Sequence, residues 1–314
     1  LFSISRPITS GMSLVVSWLS EQLCASRAMM SVIFFLIALV GPVILEQLGY
    51  SPYTFDSGTI SNLGGKPKLP LGGIEFPTHP LGVEWGSGRD IMSQLLWGLR
   101  ISLAIATAAT ILTVTLGTVL GIVAGYFGGW IDQTLGRLMD LVLAFPFLLI
   151  VLALSGVVTD RLTSLGVPEG NPSRILYLIL VITAFGWPYL ARIVRGQVLS
   201  LREREFVEAA VAMGAGRRRI LFGEILPNLW APILVYTTLT LPSYIGLEAA
   251  LSFLGVGVLP PDITFGAMLA SSVQYFQVVP TYLFIPGGML VILVVSFNLL
   301  GDAVRDALDP KAVH

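Results

Sequence analysis

Between residues 200 and 216 the chain reads Ser200-Leu201-Arg202-Glu203-Arg204-Glu205-Phe206-Val207-Glu208-Ala209-Ala210-Val211-Ala212-Met213-Gly214-Ala215-Gly216. Phe206, Ala209, Ala210 and Met213 recur at i, i+3, i+4 and i+7, which predicts a short helix with one apolar stripe bordered by Glu203, Glu205 and Glu208. Gly214 can take the left-handed conformation that ends a helix. The small side chains of Ala209 and Ala210 would let the backbone sit close in a partner's groove. A second helix is predicted from Arg217, carrying Ile220, Leu221 and Ile225 and stopping at Leu226-Pro227. The chemistry of such a pattern is docking: an apolar stripe on a polar loop needs something to cover it.

Residues suited to covalent or metal chemistry are scarce. The chain holds two histidines, His79 and His314, and a single cysteine, Cys24, expected to be an inert thiol. His79 precedes Pro80 and is expected to serve a turn. None of the lysines, Lys66, Lys68 and Lys311, sits in a G-x-x-x-x-G-K-[ST] loop, and neither G-x-S-x-G nor H-E-x-x-H occurs. No catalytic residue, metal site or cofactor is therefore expected in this chain, and any nucleotide would bind elsewhere. A net charge of -1 gives no electrostatic footing for nucleic acid. Only 12% of residues are charged, 54% are apolar and mean hydropathy is +0.83, so too little charge is available to cover a water-facing surface.

A membrane must therefore hold the docking loop in place. A bilayer core about 30 Å thick takes roughly 20 apolar residues per helix, and six stretches qualify: 28–45, 101–126, 141–158, 175–191, 229–247 and 281–300. The expected fold is an all-α integral membrane protein with six transmembrane helices. The first stretch is too long for a signal peptide's apolar core and lacks a cleavage pattern. Segment 249–280 is poor in charge, but Gly255, Gly257, Pro260, Pro261 and Pro280 interrupt it, so a partly inserted loop is expected there. Arg192, Arg195, Arg202, Arg204, Arg217, Arg218 and Arg219 crowd the loop after the fourth span, which places that loop and both termini in the cytoplasm. The resulting organisation is a cytoplasmic N-terminal segment (1–27), a first span (28–45), and an extracytoplasmic cap ending in an interfacial helix (46–100). A core (101–301) containing the loop at 200–227 and a cytoplasmic tail (302–314) follow. Met12 could equally be a start.

Several charged residues lie near the membrane boundaries. Arg137 and Asp140 are three apart and are expected to pair on one helix face; Glu248 is expected at the outer interface. Asp302, Arg305, Asp306 and Asp309 share a face of the last helix, either solvated or in contact with a partner. Pro146, Pro188, Pro232, Pro242 and Pro286 are expected to kink helices that line a cavity. Gly117, Gly121 and Gly125 repeat every fourth residue and are expected to admit a closely packed helix, from this chain or a sister subunit.

Glu208-Ala209-Ala210, then Gly214 and later Leu226-Pro227, resembles the EAA loop of bacterial ABC importer permeases. His79-Pro80-Leu81-Gly82 with Gly88-Arg89-Asp90, Gly125-Tyr126-Phe127-Gly128-Gly129-Trp130-Ile131-Asp132, Ser252-Phe253-Leu254-Gly255 and Phe297-Asn298-Leu299-Leu300-Gly301-Asp302 are similar to motifs of the C-type permeases of dipeptide, oligopeptide and nickel importers. An apparent extra residue within Val83-Glu84-Trp85-Gly86-Ser87 departs from that pattern. The resemblance implies the type I importer fold in a bacterial or archaeal cytoplasmic membrane. It also implies that Phe206, Glu208, Ala209, Ala210, Met213, Gly214, Leu226 and Pro227 dock an ATPase. The implied partners are a B-type sister permease, two ATPase subunits that bind ATP and Mg, an extracytoplasmic substrate-binding protein and the lipid bilayer. Peptides are the expected cargo, because no His, Cys or Met cluster lines a span; nickel is the alternative. An ion-driven secondary transporter is a further alternative, but it would need ionisable sites at span centres that the sequence does not offer.

Overall fold

The computed structural model describes residues 29–61 and 64–308. The expectations about Met12, Cys24, Asp309, Lys311 and His314 fall outside that range. The described chain is helical: α1 Met29–Gln47, α2 Ile91–Phe127, α3 Gly129–Ala144, α4 Phe147–Ser164, α5 Asn171–Leu201, α6 Glu205–Ala212, α7 Arg217–Phe253, α8 Phe265–Ser272 and α9 Thr281–Leu308. Six of them, α1, α2, α4, α5, α7 and α9, are long and apolar enough to cross a membrane. Extended pairing among the described residues is confined to three isolated bridges in the cap.

Three boundaries differ from the sequence expectation. The anticipated interfacial helix and second span form one 37-residue helix, α2, about 55 Å long at 1.5 Å per residue and so well beyond the bilayer core. The third stretch is cut at Phe145-Pro146: Phe145 is extended, as the residue before a proline tends to be, and the spanning helix begins afresh at Phe147. The helix from Arg217 does not stop at Leu226-Pro227. It widens to a π turn over Ile220–Ile225, tightens to 3-10 over Leu226–Leu229 and continues as regular helix from Trp230 to Phe253. Pro227 opens the 3-10 stretch, where its missing N–H costs little.

The glycine stripe of α2 faces α5 of the same chain. A Cβ at Gly117 would lie 2.9 Å from Leu190 Cβ, at Gly121 2.7 Å from the Ala191 carbonyl oxygen and at Gly125 2.8 Å from that of Arg195. Only glycine permits this approach, which runs α2 against α5 from mid-span to their shared end. Residues 249–280 form no seventh span: α7 ends, a loop turns back, and α8 packs onto α7 where Gly266 meets the backbone of Ala249.

At the end opposite the arginine-rich loop lies the cap. Asp90 caps α2 by accepting from the Ser93 N–H and hydroxyl, each at 2.7 Å. His79 Nδ1 lies 3.2 Å from Asp90 Oδ1 and its Nε2 3.6 Å from Asp56 Oδ2. His79 also closes the turn it was expected in, its N–H donating to the Glu75 carbonyl at 2.7 Å. The divergent stretch at Val83–Ser87 carries a buried anchor: Glu84 accepts from Arg89 Nε at 2.5 Å, from Ser87 and from Tyr282 Oη of α9 at 2.7 Å. Trp85 stacks on Tyr275 with centroids 5.0 Å apart. Glu248, expected at the outer interface, does not face solvent. It is fully buried in α7 and accepts from Ser252 at 2.7 Å, because α8 and the preceding loop fold over it.

Candidate functional site

The arginine-rich end carries the predicted docking helix. α6 terminates as a Schellman motif: Gly214 is left-handed at φ +78, its N–H donates to Val211 O at 2.9 Å, and the Ala215 N–H donates to Ala210 O at 3.0 Å. The anticipated stripe divides between two faces. Met213 is 77% exposed and Phe206 40%, and Ala209 and Glu208 are also outward, whereas Ala210 is 3% exposed and turned inward with Val207. A helix this short must spend part of its apolar surface on its own protein to stay seated, and Ala210 does that here. Val207 belongs to a cluster with Leu190, Val194 and Val198 of α5 and Ile220, Ile225, Leu229 and Ile233 of α7. Leu226 packs against that cluster and Pro227 is exposed. Val211 and Phe222, absent from the predicted stripe, are exposed beside it; the π turn that brings Phe222 outward has no periodic trace in the sequence.

The neighbouring turn between α2 and α3 is tied to this loop. Arg202 donates to the Gly125 carbonyl at 3.3 Å, and the Arg217 guanidinium lies 5.8 Å from the Phe127 ring centre. Asp140 takes Arg192 of α5 as its partner and not Arg137, which is exposed and forms no ion pair among the described residues. A second pair joins Arg195 to Asp132, Nη2 to Oδ2 at 2.7 Å. Sequence spacing favoured the partner within the helix, but α5 presents arginines one turn apart to α3, and the two contacts across helices win. Hydrogen bonding from Arg195 holds the Asp132 carboxyl below the usual aspartate range, despite some desolvation.

Between α3, the break at Pro146, α5 and α7 lies a cavity of about 570 Å³. Three of the prolines expected to bend cavity walls are chain neighbours of its lining residues: Phe145 and Phe147 flank Pro146, Gly186 and Tyr189 flank Pro188, and Ser243 and Tyr244 follow Pro242. Gly186 makes room for Tyr244, because a Cβ there would lie 3.1 Å from Thr113 Cγ2 and collide with the Tyr244 hydroxyl. That hydroxyl donates to Thr113 Oγ1 at 3.3 Å. The lining offers no carboxylate, imidazole, thiol or thioether among the described residues, so it has no ligand set for a metal.

A family model described as binding-protein-dependent transport system inner membrane component matches residues 117–314. The chain belongs to that family. The match covers the glycine stripe, the cavity walls and the loop that carries α6. The oligopeptide transport system permease protein OppC of Bacillus subtilis (strain 168) is 36% identical over 292 residues, 93% of this chain and 87% of its own length. OppC of Mycobacterium tuberculosis (strain ATCC 25618 / H37Rv) is 36% identical over 234 residues, 74% of this chain and 76% of its own. The dipeptide transport system permease protein DppC of Alkalihalophilus pseudofirmus is 39% identical over 224 residues, 71% and 69% respectively. An inward-facing structure of the MetNI methionine ABC transporter matches with a TM-score of 0.54 at 21% identity, over 70% of this chain and 98% of the matched one, which shows an ABC importer permease fold.

Proposed function

We propose that this chain is one of two dissimilar permease subunits of an ATP-driven peptide importer in a bacterial or archaeal cytoplasmic membrane. The arginine-rich end faces the cytoplasm. Two separate ATPase subunits bind ATP and Mg there and one seats the exposed face of α6, while a B-type sister permease supplies the other half of the path and an extracytoplasmic binding protein delivers cargo. The observation that carries this reading is the two-sided α6: Phe206, Ala209 and Met213 are free to meet a partner, while Ala210 is buried and Val207 packs in a cluster with α5 and α7, which wall the cavity. Closure of the ATPases would move α6 and, through that cluster, the spans. Peptide is favoured over nickel by the names of the relatives and by a cavity without metal ligands.

The test is crosslinking from a Met213→Cys variant made in a Cys24→Ser background, within cells that express the whole transporter. An adduct with an ATPase subunit is expected. Adducts with lipid or with a second copy of this chain alone would overturn the reading.

A further inference from the structure

The cavity wall contributed by α7 has a chemical pattern of its own. Tyr236, Thr240, Ser243, Tyr244 and Leu247 fall at i, i+4, i+7, i+8 and i+11, one face of the helix. From Tyr236 to Leu247 this face runs about 16 Å at 1.5 Å per residue, which is the reach of about five extended peptide residues at 3.2–3.4 Å each. Tyr189 of α5 faces the same space and is largely exposed. The remaining walls are apolar, and no ionisable side chain other than tyrosine lines them among the described residues.

We propose that Tyr189, Tyr236, Thr240 and Ser243 form a peptide-contacting wall that reads main-chain amides and leaves side chains unread. This rests on the peptide reading above. Ser243 donates to the Leu239 carbonyl at 3.2 Å and Tyr236 is hydrogen-bonded to Thr240; a hydroxyl both donates and accepts, so by keeping or exchanging these contacts the row can pair with the N–H and C=O groups of an extended chain in either register. A charged lining would sort peptides by side-chain charge and hold the matching ones, whereas passage requires binding weak enough to release. The aromatic and aliphatic walls, Phe145 and Phe147 among them, offer unspecific room for side chains. The main chain is what peptides of different sequence share, and it is what these hydroxyls can address.

The experiment uses the complete transporter in vesicles with ATP inside, and compares trialanine with its analogue in which esters replace both amides. The double variant Tyr236→Phe, Thr240→Val nearly keeps shape and removes both hydroxyls, the first by deleting the oxygen and the second by putting a methyl group in the hydroxyl's place. Uptake of trialanine is expected to fall about tenfold, as for two ordinary hydrogen bonds lost, while uptake of the ester analogue falls only about threefold relative to its own wild-type rate, since its backbone keeps the carbonyl acceptors but lacks the N–H donors. Because the same binding protein delivers each compound to both transporters, its preference cancels in this ratio. Equal losses for both compounds, or none, would overturn the assignment. Ser243→Ala, at an exposed position, repeats the comparison should the double variant fail to assemble. A Ser243→Cys variant crosslinking only to the sister permease or to lipid would also overturn it, by showing the wall covered. A wild-type transporter that moves another solute but no peptide would sink the peptide reading itself, a separately visible failure.

Discussion

Replacing Gly214 separates the shape of the docking helix from its surface chemistry. A Cβ at this position would meet nothing within 4 Å, so any effect of substitution comes from the backbone alone. At φ +78 a residue with a side chain is strained by about 1–2 kcal/mol, with β-branched residues at the upper end and asparagine least affected. The alternative to bearing the strain is to unwind the last turn. That forfeits the Gly214-to-Val211 and Ala215-to-Ala210 bonds, worth about 1 kcal/mol each in net terms. Either route leaves the native α6 end less populated by about 5- to 30-fold in Gly214→Val. Gly214→Asn should stay within about threefold of wild type. The assay is ATP-dependent uptake in reconstituted vesicles at matched protein content. Val and Asn variants with equal uptake would refute the argument, because they differ here in backbone preference and not in contacts.

Other consequences follow from packing and charge. Gly121→Ala gains about 1 kcal/mol of helix propensity, but its Cβ must displace the Ala191 backbone, which costs about 1–3 kcal/mol; a lower midpoint of thermal unfolding in detergent is expected, and a raised one would refute the α2–α5 crossing. Asp132→Asn should destabilise by about 1 kcal/mol, and Asp140→Asn by less than about 0.5 kcal/mol, because the Asp140 side chain is 71% exposed and that of Asp132 only 18%; denaturant titration of the two variants orders them. In the cap, burial raises the Glu84 carboxyl, but hydrogen bonds from Arg89, Ser87 and Tyr282 and the Arg89 charge outweigh it and hold the group below the ordinary glutamate range. Its stabilisation is therefore complete above about pH 5 and is lost as pH falls through the lowered value. Glu84→Gln, which leaves Arg89 unpaired, should cost about 3 kcal/mol and flatten that acid limb when cap proteolysis is followed against pH.

What the sequence discloses is periodicity and punctuation. Six apolar stretches, the left-handed Gly214 and the glycine stripe on α2 each follow from one local rule, and the structure has each of them. What it conceals depends on neighbours distant in the chain. Asp140 reaches Arg192 because α3 folds back along α5, which no spacing within α3 reveals. Ala210 reads as part of an outward stripe until Val207 and Ile220 show that one side of α6 is already covered. Glu248, last in an apolar run, reads as interfacial because α8, its cover, lies beyond a loop whose path is set by Asn171 bonding Leu259 and Asp262. The hydroxyl face of α7 was visible all along as Tyr236, Thr240 and Ser243, but periodicity alone does not distinguish a polar stripe on a cavity from one on a neighbouring helix.

The irregular stretch of α7 lies between its two ends of different purpose. Ile220 and Ile225, at the two ends of its π turn, seat α6; beyond it, Tyr236 to Leu247 wall the cavity. A uniform helix would carry any displacement of its base straight through as tilt of the whole rod. A π turn followed by a 3-10 turn, with Gly223 inside the first and Pro227 opening the second, holds fewer ideal hydrogen bonds and can change its phase locally. On the coupling mechanism proposed above, motion of α6 would then reach the cavity wall partly as rotation about the α7 axis, turning the hydroxyl face toward or away from the path. The opposite wall lacks a π or 3-10 stretch: α5 is α-helical from Asn171 to Leu201, with Pro188 inside it, and its arginines hold α3, whose end at Ala144 leads into the break at Pro146. On that proposal, one wall that rotates against one that is braced would convert a small shift at α6 into a change in cavity shape. An inversion from 1:99 to 99:1 needs about 5.5 kcal/mol of differential stabilisation; on the proposed coupling the seat beneath α6 would have to transmit it without yielding, a demand that burial of Val207 and Ala210 serves better than a larger exposed face would.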